Sequence, residues 1–271
     1  MSTLRIGAID IAVVSDGRLR LDPGLMFKPD DTSEFRQRVE LEEGRLPFSV
    51  NCVLLRVGDR RILLDTGAGR DTPMLMERYG GGCGLLVDNL PALGVQPADI
   101  DTVVISHAHG DHIGGATIPA GDEMVPTFPE ALYWLWDEEW SYWTKPEVLE
   151  ERPFLKNKLS PLAAHGQVEL TPEEIEVAPG VRLIPAPGHT PGHLCVAIVS
   201  GQEMALYTGD LLHHECQLEH PEWSDMFDLM PEVSAASRRR ILEDAHHERA
   251  VLLTAHLPTP GIVHPTAQGY A

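Results

Sequence analysis

The chain has 271 residues, enough for one substantial core or two small ones, and its 43% hydrophobic content is that of an ordinary globular protein. It carries 41 acidic against 21 basic residues, a formal net charge of −20, and such a field opposes nucleic acid, which is bound through cations that displace counterions. No apolar stretch approaches the ~20 residues of a membrane span, and residues 1–7 lack a basic region leading into a long apolar segment, so no signal peptide is seen and a cytoplasmic location is expected.

Taken in order, residues 9–14 read as an early strand, and residues 23–46 as a polar, irregular arm lying across a dimer partner or a pocket. Residues 51–57 and 61–64 form a hairpin turning at Gly58-Asp59. Gly80 to Cys83 and Gly84 make a flexible glycine loop; it is no phosphate loop, because no Lys-Ser or Lys-Thr follows. Residues 85–93 read as a short helix stopped by Gly94, with Pro97 beyond it. A strand over 101–105 follows, then a strand over 131–136, a helix from Asp137 and a partly helical crossover over 146–164. Residues 174–184, 195–199 and 204–208 are expected as strands, and 234–248 as a helix with a basic patch at Arg238-Arg239-Arg240. No convincing linker interrupts the chain, so one domain of two pseudo-symmetric halves is expected, about residues 1–165 and 166–271. Cys52, Cys83, Cys195 and Cys216 form no Cys-x-x-Cys pair, which argues against a structural zinc ribbon; Cys52 and Cys195 are expected in the core, with Cys83 exposed.

The chemistry is concentrated just after the strand over 101–105. There, Ser106-His107-Ala108-His109-Gly110-Asp111-His112-Ile113-Gly114-Gly115 brings three histidines and an aspartate within six residues. A strand that ends this way delivers several imidazole and carboxylate groups to one point, and those groups suit zinc and similar divalent ions. His189 lies in a turn-rich loop after the apolar run 181–184, Asp210 follows the run 205–209, and His256 follows the run 251–255. Four separate strand ends thus carry His or Asp, and a parallel or mixed sheet would gather them.

This pattern resembles the metallo-β-lactamase superfamily, whose motif is His-x-His-x-Asp-His, then His, Asp and His in that order. The resemblance runs from about Asn51 to the C-terminus and includes Leu63-Leu64-Asp65-Thr66-Gly67, similar to the family's Asp-Thr-Gly strand end. It implies an α+β fold, a four-layer αβ/βα sandwich of two facing sheets with helices outside. It also implies two divalent metal ions, zinc first, with manganese, iron or cobalt as alternatives. His107, His109 and His189 would hold one ion, Asp111, His112 and His256 the other, and Asp210 would bridge them. Asp65 would orient a ligand histidine.

The implied activity is hydrolysis by a metal-bridging hydroxide, acting on an ester or lactone bond with organophosphate (phosphotriester) cleavage as a side activity. The proton for the leaving group would come from Asp111 or from water at the metal. Within the superfamily, Gly209-Asp210-Leu211-Leu212-His213, Gln217, His220-Pro221 and the segment Ala255 to Pro258, with Pro260-Gly261-Ile262 after it, are similar to the branch of methyl parathion hydrolase and the acyl-homoserine lactonases. His213 stands where lactonases of this branch often carry a tyrosine that helps to hold the lactone carbonyl, so Asp111, Asp210 and His213 are the candidate catalytic residues. The alternatives are a glyoxalase II-type thioesterase, which would need basic residues near the pocket, and a non-catalytic metal-binding protein.

The expected partner is a small, hydrophobic substrate, and a homodimer is suggested by the branch alone. Tyr133, Trp134, Trp136, Trp140, Tyr142 and Trp143 crowd one region, and at least one of Trp134, Trp136 and Trp140 is expected to reach the pocket, with Trp223 and Phe227 approaching from the other half. Among the remaining histidines, His193 and His264 are the candidates to support the ligands.

Overall fold

A computed structural model describes residues 1–27, 35, 37–70, 75, 77, 79–258, 261–267 and 269–270. The expectation for residues 23–46 falls in part on 28–34 and 36, and the resemblance at Pro260 falls on 259–260; these lie outside the described residues.

Two sheets carry the architecture. The first takes β1 (Ser2–Ile6), β2 (Ile9–Leu21), β3 (Leu46–Val57), β4 (Arg60–Leu64), β6 (Thr102–Val104), β9 (Leu132–Trp136) and β10 (Val168–Thr171) in that spatial order. The short β5 (Gly81–Gly82) pairs with β2, so the glycine run expected as a loop supplies a strand edge. Strands β1 to β4 are antiparallel, whereas β4, β6, β9 and β10 run parallel. A separate two-stranded hairpin joins β7 (Thr117–Ala120) to β8 (Glu123–Pro126). The second sheet runs β11 (Ile175–Ala178), β12 (Val181–Pro185), β13 (Leu194–Ser200), β14 (Glu203–Tyr207), β15 (Val251–Leu253), β16 (Ile262–Val263). The strand expected over 174–184 is a hairpin folded at Pro179-Gly180, a turn signal that the apolar pattern on both sides concealed. The change of sheet falls between Thr171 and Ile175, because β10 returns to the first sheet beyond the expected division at 165.

The layers follow from period-two alternation. On β3 and β4, Val53, Leu55, Ile62 and Leu64 point between the sheets, where they meet Val181, Leu183, Val196, Ile198 and Tyr207. Their neighbours Leu54 and Leu63 point outward, with Val103 and Ile105, and pack under a helix. Among the helices, in chain order, are α1 (Leu86–Asn89), α2 (Gly110–Ile113), α3 (Asp137–Trp143), α4 (Pro146–Glu151), α5 (Pro153–Ala164), α6 (Cys216–Glu219) and α7 (Pro231–His247). Leu155, Leu159 and Leu162 of α5 cover the first sheet, and Ile241, Leu242 and Ala245 of α7 cover Cys195, Ala197, Leu206 and Leu252 of the second. The result is helix, sheet, sheet, helix, the expected αβ/βα sandwich. Gly94 caps its helix in the left-handed conformation, and Asp137 opens α3 as the sequence indicates. Among the described residues, no helix is long and apolar enough to cross a membrane.

Alternation also settles the aromatic cluster. β9 is an inner strand, so Trp134 and Trp136 go to the inter-sheet core while Tyr133 and Leu135 go to the helix side. The Tyr133 hydroxyl is consumed there, accepting from Phe128 N and donating to Ala116 O. Cys52, Cys195 and Cys216 are buried and Cys83 is half-buried. Arg238, expected on a basic patch, is fully buried.

Candidate metal centre

The sandwich brings the ligand-bearing strand ends to one edge. β4 ends at Asp65, which adopts a left-handed backbone, φ +57°, a conformation that costs a non-glycine residue about 1–3 kcal/mol. Four hydrogen bonds onto its carboxylate offset that cost. Asp65 accepts from Ser106 N, Ser106 Oγ, His112 Nδ1 and Tyr207 Oη, each at 2.7 Å. The loop after β6 is thereby pinned to β4, and His112 is oriented by the carboxylate foreseen for it. Gly114 and Gly115 are required where this loop returns: a Cβ at Gly114 would lie 2.0 Å from Ala68 O, and one at Gly115 2.1 Å from Thr66 O.

All seven expected ligands converge, in two overlapping groups. His107, His109, His189 and Asp210 offer atoms within 4.8 Å of one another, as do Asp111, His112 and His256. Asp210 serves both. Its Oδ1 lies 2.9 Å from His112 Nε2 and 2.8 Å from His256 Nε2. Its Oδ2 lies 3.2 Å from His189 Nε2 and 3.5 Å from His107 Nε2. Asp111 approaches the second group from the more open side, 3.9 Å from His112 Nε2 and 3.7 Å from His256 Nε2.

The donor set fits a pair of cations. His112 Nδ1 faces Asp65, and His256 Nδ1 donates to Ser49 O at 2.7 Å, so in the neutral form that binds a metal the two rings turn lone pairs toward each other, their Nε2 atoms 3.2 Å apart. At His189, Nδ1 is held by Asp228 Oδ1 at 3.1 Å, which leaves Nε2, 2.9 Å from His109 Nδ1, directed at the centre. Buried His107 Nε2 and Asp210 Oδ1 have no hydrogen-bond partner. Lone pairs facing at such distances repel unless a cation lies between them. Ligand bonds of ~2.0–2.1 Å in a tetrahedron put neighbouring ligand atoms about 3.3 Å apart, inside the range of spacings found here. A ring nitrogen held by a carboxylate or carbonyl while the other faces the centre is also the usual support for a metal-bound histidine.

The electrostatics differ from one histidine to the next. Burial, aided by neighbouring imidazoles, holds His107 and His109 far below the usual histidine range, hence neutral and ready to bind. At His112 burial pulls the same way but is outweighed by the Asp210, Asp65 and Asp111 carboxylates, which raise it well above that range. Asp210 is raised by burial and lowered more strongly by His112, His256 and His107, so it stays ionised.

Several supporting residues lie beyond the sequence motif. His193, one of the two expected supports, is buried, accepts from Asp210 N at 3.0 Å and sets its Nδ1 at Ala186 O; burial and His189 bring its pKa down to about 3. The other, His264, is exposed and joins neither ligand group. Asp228, which holds His189, is in turn met by Arg238 at 3.4 Å. Arg238 also donates to Leu211 O, Pro221 O and Trp223 O. Asp225 lies 2.7 Å from His213 Nδ1, and Gln217 accepts from His213 N. None of Asp225, Asp228 or Arg238 stands in a pattern that marks it; only the buried charge, visible once the chain is folded, does so.

A cleft of about 620 Å³ opens over this cluster, with His109, Asp111, Asp210 and His213 on its floor. Its walls are apolar: Leu19, Leu21, Phe48, Met226, Phe227 and Leu229 on one side, Phe154 and Leu155 on the other. Phe48 also stacks on His256 with ring centres 3.9 Å apart. Of the expected aromatic residues, Phe227 lines the cleft. Trp134 and Trp136 do not, for the strand-alternation reason above; Trp140, on α3, packs against the helix-side core, and Trp223 packs beside Phe27. Trp143 comes nearest, edge-on to His109 at 5.6 Å.

The family model of the metallo-beta-lactamase superfamily matches residues 45–261, a span that includes every one of these ligands. The chain belongs to this superfamily. An N-acyl homoserine lactonase of Bacillus thuringiensis is 26% identical over 229 residues, 78% of this chain and 82% of that one. A beta-lactamase-like protein 2 homolog of Drosophila melanogaster is 32% identical over 162 residues, 60% of this chain, and the match spans only 46% of the fly protein. Among solved structures, AidC, a dizinc quorum-quenching lactonase in complex with a product, superposes with a TM-score of 0.83 at 25% identity, covering 99% of this chain and 95% of that one. Superfamily membership and the His/Asp cluster together make this chain a metallo-hydrolase-type protein with lactonase-like relatives.

Proposed function

We propose that this chain is a binuclear metal-dependent hydrolase of ester or lactone bonds. The observation that carries the reading is Asp210, whose two carboxylate oxygens face two separate histidine groups. His107, His109 and His189 would hold one ion and Asp111, His112 and His256 the other, with zinc the first candidate because a dizinc lactonase is among the similar structures. Ions bound there would polarise the substrate's carbonyl or phosphoryl oxygen and bring a water near neutral acidity.

The chain's own residues supply the rest. Asp111, at the floor of the cleft and 15% exposed, is placed to carry a proton to or from the leaving group. His213, fixed by Asp225, turns Nε2 toward Asp210 and the cleft, where it would meet a substrate oxygen. The apolar walls favour a hydrophobic acyl or aryl group and exclude bulk water from the reacting bond. Among the described residues of the cleft, Arg152 is the one basic side chain, and it lies against the Trp143 ring. That is poor provision for a glutathione carrier, so the thioesterase reading ranks second. Phosphotriester cleavage would be a side activity of the same site.

The test is hydrolysis by protein of known metal content on a matched panel: aryl esters, acyl-homoserine and aliphatic lactones, a phosphotriester and S-lactoylglutathione. Lactone or ester turnover with two metals per chain is expected. Preference for the thioester would move the protein to the glyoxalase II type, and two metals with no turnover on any member would overturn the substrate class.

A further inference from the structure

The loops that carry the first histidine group meet at a side chain outside the superfamily motif. Glu139, in α3, is completely buried. Its Oε1 accepts from Ala108 N at 2.8 Å and Trp143 Nε1 at 2.7 Å. Its Oε2 accepts from Thr190 Oγ1 at 2.6 Å and Gly192 N at 3.0 Å. Ala108 stands between His107 and His109, and Thr190 directly follows His189. We propose that Glu139 is a positioning residue that sets the spacing of His109 against His189 and thereby the affinity of the first metal pocket.

Three observations bear on this. The carboxylate is held by four donors and no cation, an arrangement that costs desolvation and that a residue needed only to fill space would not adopt. One oxygen grips one ligand loop and the other oxygen the second, so the two loops cannot move apart without breaking hydrogen bonds at a single group. The second loop also passes so close that a Cβ at Gly192 would lie 2.1 Å from Glu139 N, which makes its seat depend directly on α3.

The inference rests on the reading of the cluster as a metal centre, and the experiment separates the two. Glu139→Gln preserves shape but sets an amide NH2 against hydrogen-bond donors of one loop or the other. Metal affinity of the purified protein would be measured by competition with a chromophoric zinc chelator, alongside thermal unfolding. Wild type is expected to hold two ions, and E139Q to hold one of them 10–100-fold more weakly, the range found for residues that orient ligands. The same change in an H256A background, where the second group lacks a histidine, assigns the weakened ion to the first. Trp143→Phe removes a donor from the same carboxylate without touching either loop clamp, and should leave both affinities within about threefold, well below that range. Should E139Q fail to fold, Thr190→Val removes one clamp alone and should still weaken the first ion. Unchanged affinities in folded E139Q or T190V, or equal weakening of both ions, would overturn the positioning role while leaving the metal centre intact. A wild-type protein that binds no divalent ion would overturn both.

Discussion

Asp225 Oδ2 lies 2.7 Å from His213 Nδ1, and the opposite ring nitrogen lies 3.1 Å from Asp210 Oδ2. The imidazole is therefore held between two carboxylates, both buried. Burial alone would lower its pKa, but Asp225 and then Asp210 outweigh it and hold it well above the usual histidine range. Asp225→Asn removes the charge that fixes the ring. Turnover should fall about 10–100-fold, the scale of losses when a supporting partner is removed, while both metals remain bound. Steady-state kinetics and metal analysis of the same sample check this; unchanged turnover would return His213 to a wall of the cleft.

Asp65 makes a second, independent case. It orients His112, pins Ser106 and accepts from Tyr207, so its charge serves the metal and the fold at once. Asp65→Asn should weaken one of two bound ions about 10–100-fold. It should also lose about 1–3 kcal/mol of stability, because the amide leaves a buried donor without an acceptor. Chelator competition and urea unfolding measure the two effects separately, and an affinity loss without a stability loss would confine Asp65 to the ligand.

Arg238 shows how composition alone misleads. Beside Arg239 and Arg240 it reads as one cation of a patch, yet it is wholly buried and ties Leu211, Pro221, Trp223 and Asp228 together. Arg238→Ala takes the buried cation from beside Asp228 and its donors from the Leu211 and Pro221 carbonyls, and breaking such a pair typically costs about 3–5 kcal/mol. A correspondingly large drop in the urea midpoint is expected. A shift under about 1 kcal/mol would mean that water replaces the guanidinium.

The convergence of the His/Asp cluster was legible in the sequence because its members stand at or just beyond the ends of apolar runs, and strand ends on a sheet edge are brought together by topology. The 58–59 turn, the Gly94 cap and the start of α3 were legible for local reasons of turn and capping chemistry. The supporting residues were not. Asp225 and Asp228 hold His213 and His189 from 12 and 39 residues away, Glu139 grips the neighbours of His109 and His189, and Arg238 braces Asp228, all through contacts that only the packed chain creates. The hairpin at Pro179-Gly180 was hidden by an apolar pattern that continued across the turn, and the tryptophans of β9 misled because their number said nothing of which face each would occupy. Phe48, isolated in the sequence, stacks directly on His256 of the cluster.

Metal uptake should depend on pH through His112. In the metal-free cluster burial lowers its pKa, but Asp210, Asp65 and Asp111 raise it well above the ordinary value, so it carries a proton at neutral pH. A metal ion must displace that proton. The sign follows: apparent affinity rises with pH until the raised pKa is passed, and falls as pH drops, by up to about tenfold per unit for one proton displaced. His107 and His109, already neutral through burial, add no proton release in this range. His189 adds a second proton, because burial is outweighed there by Asp210 and Asp228, which raise its pKa to about 8. Calorimetric titration of the apoprotein with zinc in buffers of different ionisation enthalpy should therefore count about two protons released by the histidines at neutral pH. Zero release at neutral pH, with affinity flat between pH 6 and 8, would show that His112 is already neutral before the metal arrives.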